Sequence, residues 1–335
     1  NAYINAGNDV IVIDDLSSGE IKLVNSKAKF YHLDIHSPEV KTILEKEKIT
    51  VINHHAAQIS VSASVSNPLF DANSNIIGTL QLLQNAVSLN TEKFIFASTG
   101  GAMYGERKTF PASEEQPCQP LSPYAISKLS AETYINYFGT QYGLNTTVLR
   151  YSNVYGPHQN PHGEAGVVAI FCERLLDDQQ PVINGDGEQT RDFVYVQDIV
   201  KANIIALNLE CTGMFNVGTG KETTVNFLTQ CLVKASAIDT SIEYGPARKG
   251  EQKRSVIDRG KLVKRFGWKP GVSVEEGLLE TFNYFKNDKE SAGLLAQDVE
   301  KVLPSAVSER KLPLHTGDGK SYKTLHYDSI HALLI

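Results

Sequence analysis

Apolar residues in the first 150 positions come as short continuous runs rich in Val, Ile and Phe, each emptying into polar or small residues. Val10, Ile11, Val12 and Ile13 precede Asp14 and Asp15, and residues 28–33 lead to Asp34 and Ile35. Val51 and Ile52 open a segment ending on Ala56 and Ala57, residues 93–97 end on Ser98 and Thr99, and residues 148–151 run into Ser152 and Asn153. Short runs without alternation fit strands covered on both faces, as in a parallel sheet. Between them lie stretches of helical spacing at 40–48, from 75 onward, and at 124–142 ahead of Gly143, a natural helix stop. Residues 2–8 read as a helix end closed by Gly7. The alternation predicts an α/β doubly wound parallel sheet. Ligands in such sheets bind at the carboxyl ends of the strands, so Asp14, Asp34, Ala56, Ala57, Ser98 and Thr99 are expected along one rim.

After residue 156 the texture changes. Pro and Gly punctuate 156–166, Asn184-Gly185-Asp186-Gly187 makes a turn, and the remaining strands interleave with loops. Three regions are expected: a cofactor-binding region at 1–156, a substrate-binding region at 157–288, and a short α+β tail at 289–335. The 335 residues carry a formal net charge of -6, so there is no cationic excess for nucleic acid. The four cysteines stand apart without zinc spacing, which suits reduced thiols in the cytoplasm and no metal site. His54 and His55 are strand neighbours that point to opposite faces and so do not converge on an ion. No apolar run reaches 18 residues, so no membrane span is expected. The chain starts with Asn1, which reads as a fragment or processed form.

The strongest chemical signal is Tyr124 with Lys128 four residues on, one helical turn away on the same face. An ammonium beside a phenol stabilises the phenolate, so Lys128 is expected to lower the Tyr124 pKa and make a usable acid/base. An acidic residue after an early strand, here Asp14, suits the ribose hydroxyls of a bound dinucleotide.

These features occur in order with residues 14–19, His55-Ala56-Ala57-Gln58, residues 75–79, residues 98–105, residues 150–157, residues 191–198, residues 215–218, residues 246–251 and Gly267-Trp268-Lys269-Pro270. Together they resemble the extended short-chain dehydrogenase/reductases, in the NAD-dependent epimerase/dehydratase family, over most of the chain to about residue 288. The resemblance implies a Rossmann-like fold, tightly held NAD, and a nucleotide-sugar 4-epimerase of the UDP-glucose/UDP-galactose type working by transient oxidation at C4. It assigns Tyr124 as the proton acceptor, Thr99 as its hydroxyl partner with Ser98 as second choice, and Lys128 as the cation. On the cofactor side it implies Asp14, Asp15, Ser18, Asp34, Ile35, Ala56, Ala57, Asn75 and Tyr151. On the substrate side it implies Asn153, Arg191, Arg248 and Glu251. The related dehydratases carry Asp-Glu directly after the threonine, where this chain has Gly100-Gly101, so epimerisation is expected over elimination. A homodimer through helices at 76–90 and 124–142 is implied as well.

Two departures qualify the resemblance. The family's first strand and glycine-rich pyrophosphate turn are missing, which is expected to leave two unpaired strand edges and to weaken NAD binding and folding. Decarboxylation, dehydration, or service as an inactive scaffold are the competing expectations. From residue 291 the tail is similar to the end of the S74-type intramolecular chaperone domain of phage tail fibres, with a strand and helix start expected over 322–334. That family trimerises, and its self-cleaving serine has no counterpart in this chain.

Overall fold

A computed structural model describes residues 1–161, 166–247, 252–302, 307–310 and 322–325. The chain divides into two compact units, Asn1–Thr281 and Phe282–Ile335.

In the first unit four parallel strands lie in the order Gly213–Val217, Asn145–Tyr151, Lys93–Thr99, Val51–His54. Alternation along these strands builds the layers on either side. Phe94, Phe96 and Val148 face one way, into a cluster with Val40 and Leu44 from helix Glu39–Lys46, Leu82, Leu83 and Ala86 from helix Gly78–Ser88, and Ala131, Ile135 and Phe138 from helix Pro123–Tyr142. Ile95, Leu149, Phe215 and Val217 face the other, against Ile199, Ala202 and Ala206 of helix Val196–Ala206 and against Trp268. The doubly wound α/β expectation is therefore met. The helix stop at Gly143 holds, with φ +68°.

Strands Ile11–Asp14 and Lys29–His32 form a separate parallel pair. Among the described residues, Ile11–Asp14 pairs on one side only, and so does Val51–His54. The two unpaired edges are as expected, and a cavity of about 1470 Å³ is walled by residues 10–15 and 50–60 together with Val40, Leu44 and Leu82.

The helix expected from residue 75 begins differently. Residues Asn73–Ile77 wind as a wider π turn before helix Gly78–Ser88. Asn75 is turned inward to Gln58, and the Thr79 hydroxyl donates to the Asn75 carbonyl at 2.7 Å. Gly78 permits this path, because a Cβ there would sit 2.6 Å from Ile35 Cδ1.

Helix Pro123–Tyr142 is tied to the sheet by an ion pair. Arg150 and Glu132 are 2 % and 3 % exposed, and the guanidinium donates from Nε to Oε1 at 2.9 Å and from Nη2 to Oε2 at 2.6 Å. Arg150 Nη1 also donates to Tyr104 Oη at 2.8 Å, which donates to Asn216 Oδ1 at 2.8 Å.

In the second unit, strands Val307–Arg310 and Tyr322–Leu325 pair antiparallel. The strand expected near 322 is present, and residues 326–335, where a helix start was expected, lie outside the described residues.

Arg150→Met would strand the Glu132 carboxylate in the interior, and urea denaturation is expected to register a loss of about 3–5 kcal/mol. The double variant Arg150→Met/Glu132→Leu is expected to recover much of that loss, since it removes the uncompensated charge as well.

Candidate active site

Helix Pro123–Tyr142 starts sharply because Ser122 Oγ accepts from the Ala125 amide at 3.2 Å and Pro123 occupies the first turn. That start fixes Tyr124 and Lys128 one turn apart. Lys128 is buried, its Nζ donating to the Ala97 carbonyl at 3.0 Å and lying 4.6 Å from the centre of the Phe96 ring. Burial lowers its pKa to about 8, against the opposing pull of the Glu132 and Asp71 carboxylates.

Strand Lys93–Thr99 delivers Thr99 at its carboxyl end, where the Thr99 side chain hydrogen-bonds the Tyr124 phenol. Thr99 Oγ1 also accepts from the Ala102 amide at 3.2 Å, capping the short helix Gly100–Met103. The expectation that Lys128 lowers the Tyr124 pKa is not met. Burial, followed by the Asp71 charge, pushes the phenol up to about 12, and only the Thr99 hydrogen bond opposes them. Desolvation of the phenolate outweighs the cation, which is turned toward a backbone carbonyl.

Ser98, the second choice for the hydroxyl role, is corrected. Its Oγ donates to Glu132 Oε1 at 2.6 Å in the interior. Strand neighbours face opposite ways, and Ser98 lies beside Arg150 in the strand register, where Glu132 takes both.

The cofactor-side residues collect along the cavity between the two sheets. Asp14, Asp15, Ser18, Asp34, Ile35, Ala56 and Ala57 all line it. The loop after the first strand is preset, with Asp14 Oδ1 accepting from the Leu16 amide at 2.8 Å and Asp15 Oδ1 from the Ser17 amide at 2.9 Å. Asp34 accepts from the His36 amide at 2.8 Å, and that bond holds its carboxyl below the usual range. Tyr151 lies beside the His55 ring, which lines the cavity, and its hydroxyl receives the Asn203 amide at 2.8 Å. Asn75 is also set back, 1 % exposed and bonded to Gln58 and Asp71.

On the substrate side, Asn153 Oδ1 is buried without a hydrogen-bond partner, and a Cβ on Gly101 would come within 3.3 Å of it. Arg191 Nη1 donates to the Thr190 carbonyl at 2.8 Å. Arg248 and Glu251 lie outside the described residues. At the position of the dehydratase acid pair, a Cβ on Gly100 would meet Ile257 Cδ1 at 2.8 Å, so a side chain there would require Ile257 to shift.

Sequence reasoning missed Asp71, Ser127 and Glu132 as parts of the site. The one available signal was position: Asp71 stands four residues before Asn75, Ser127 precedes Lys128, and Glu132 follows it by one turn.

The arrangement can take a proton from a hydroxyl at Tyr124, with Thr99 steadying the same oxygen and a cation one turn away. Comparison with known proteins points the same way. The structure is similar to that of a UDP-glucose 4-epimerase from Thermotoga maritima with UDP-glucose, at 46 % identity, TM-score 0.83, covering 86 % of this chain and 94 % of that one. It is similar to the Thermus thermophilus UDP-glucose 4-epimerase in complex with NAD, at 39 % identity and TM-score 0.80, over 85 % and 93 % of the two chains. In sequence it is 40 % identical over 287 residues to a UDP-glucose 4-epimerase of Mycolicibacterium smegmatis, covering 84 % of this chain and 92 % of that protein. The family model of NAD dependent epimerases and dehydratases matches residues 1–218. With that match spanning the site and relatives of this identity over most of their length, the chain belongs to the NAD dependent epimerase/dehydratase family.

Proposed function

We propose that this protein is an NAD-dependent isomerase that interconverts UDP-glucose and UDP-galactose by inverting C4 of the hexose. The observation that carries the reading is the Thr99–Tyr124 hydrogen bond beside buried Lys128, with glycine and no carboxylate at Gly100 and Gly101. The residues present fit NAD: carboxylates at two strand ends suit ribose and adenine donors, and Ala56 and Ala57 leave the backbone open to close approach. When bound, NAD supplies the hydride acceptor and donor at C4. Tyr124 Oη takes the C4 hydroxyl proton and later returns it, while Thr99 donates to Tyr124 and restricts where that oxygen sits. Lys128 supplies positive charge close to the developing phenolate. Asn153 and Arg191, with Arg248 and Glu251, are assigned to the nucleotide diphosphate, for which forked guanidinium donors are suited. Residues 1–156 are read as the cofactor half and 157–288 as the substrate half. Four free thiols suit a cytoplasmic setting.

The exposed apolar residues support a homodimer. Val65 (63 % exposed), Leu69 (83 %), Phe70 (54 %), Ile126 (50 %) and Tyr137 (50 %) sit on helices Val61–Ser66, Pro68–Ala72 and Pro123–Tyr142, which pack against one another. Side chains of this size left in water on neighbouring helices mark an association face. The helices at 124–142 were expected there, and the segment 61–72 contributes more than the one at 76–90.

Tyr124→Phe is expected to lower kcat by about 10²–10⁴-fold with little change in KM, as read by NMR of the initial rate at which UDP-galactose becomes UDP-glucose. Parallel incubation with UDP-glucuronate identifies a decarboxylase, because it would yield a pentose product.

For the free protein, kcat/KM is expected to rise with pH as the Tyr124 phenol, pushed up to about 12, loses its proton, and to level off above about 8, where loss of the Lys128 proton offsets that gain. Lys128→Met should lower kcat/KM and remove the levelling near 8.

Light scattering after gel filtration is expected to give a dimer, and the pair Val65→Glu/Leu69→Glu a monomer. A trimer, or a monomeric parent protein, would overturn the assignment of this face.

A further inference from the structure

One buried carboxylate has no part in the proton transfer just described, yet it lies beside the groups that perform it. Asp71, in helix Pro68–Ala72, is 0 % exposed. Its Oδ2 accepts from Ser127 Oγ at 2.6 Å, and its Oδ1 from Gln58 Nε2 at 2.8 Å and Asn75 Nδ2 at 3.0 Å. Gln58 and Asn75 close a ring of their own, Asn75 Nδ2 donating to the Gln58 carbonyl at 2.9 Å and the Gln58 amide to Asn75 Oδ1 at 3.0 Å. Three elements therefore meet at one carboxylate: the loop after strand Val51–His54, the Asn73–Ile77 turn, and the helix bearing Tyr124 and Lys128.

All three donors are neutral. A buried charge held by neutral donors is weakly screened and acts on the nearest titratable groups. Those on the helix that feel its charge are Tyr124 and Lys128. Beyond Lys128 stand His54 and His55 at the strand end, and Glu132, whose charge Arg150 takes up.

We propose that Asp71 is a positioning residue for the Tyr124–Lys128 pair: it anchors the first turn of their helix through Ser127 and sets a negative charge on the Lys128 side of the pair. The inference rests on the acid/base role given above to that pair. The electrostatic directions agree with it, since Asp71 adds to burial in raising Tyr124 and joins Glu132 in raising Lys128 against burial.

The test is Asp71→Asn, which keeps an acceptor oxygen for Gln58 and Asn75 and removes the charge. Lysine side-chain ¹³C NMR, with the Lys128 resonance identified by Lys128→Met, gives the Lys128 titration in the full chain without substrate. Its midpoint, about 8 in the parent, is expected at lower pH in Asp71→Asn, and the pH at which kcat/KM levels off should move with it. Ser127→Ala, which leaves the charge in place, is expected to keep the midpoint while lowering kcat. An unchanged or raised Lys128 midpoint in folded Asp71→Asn overturns the proposal. If that variant does not fold by circular dichroism, Asp71→Ser carries the same titration with the same two outcomes. The readout needs no turnover, so a Lys128 shift in a protein that converts no sugar nucleotide refutes the proposed function and leaves the electrostatic assignment standing.

Discussion

The contact on which the site most depends is the one that seats helix Pro123–Tyr142 against the sheet. Glu132 receives two guanidinium donors from Arg150 and the Ser98 hydroxyl, all in the interior, so the helix is held to two adjacent strands at once. Hydrophobic packing alone tolerates small slides, because apolar contacts have no preferred direction. A forked ion pair has one. With the register of the helix settled at Glu132, Lys128 one turn earlier meets the Ala97 carbonyl and Tyr124 two turns earlier reaches Thr99.

Electrostatics then divides the site into a dry side and an open side. Around Tyr124 and Lys128 burial dominates, raising the phenol and lowering the amine, so the phenol is held neutral while Lys128, at about 8, stays cationic at neutral pH. Along the cavity rim, Asp14, Asp15 and Asp34 spend their oxygens on amides of their own loops. Loops organised by such short-range bonds present the remaining carboxylate lone pairs outward at little further entropic cost.

Much of this was legible in the sequence, for a physical reason. Strand runs, helix stops and the Tyr124–Lys128 spacing are local patterns, and backbone geometry converts them directly into facing side chains. Thr99 was legible because it ends a strand. Asp71 was not, since its meaning is a bond to Ser127 across 56 positions, and a buried aspartate looks like any helix-start aspartate in a list of letters. Ser98 was misread beside Thr99 because strand alternation sends it to Glu132, 34 positions away. The direction of the Tyr124 shift was also misjudged: a cation at four residues' distance is visible in sequence, whereas the depth of burial that outweighs it is a property of the packed fold.

The gap between the two parallel sheets bears on how firmly each part of the molecule holds together. Ile11–Asp14 and Lys29–His32 join the remainder of the first unit through side chains such as Ile13 and Ile35 packed on the Val40 and Leu44 cluster, and among the described residues not through a hydrogen-bond ladder. Lys93–Thr99, by contrast, is paired on both sides. Amide protons should therefore record a gradient, slow to exchange at Lys93–Thr99 and quick at the cavity-facing edge of Ile11–Asp14. A ligand spanning that gap would stiffen the weaker half, and part of its binding free energy would appear as added local order there.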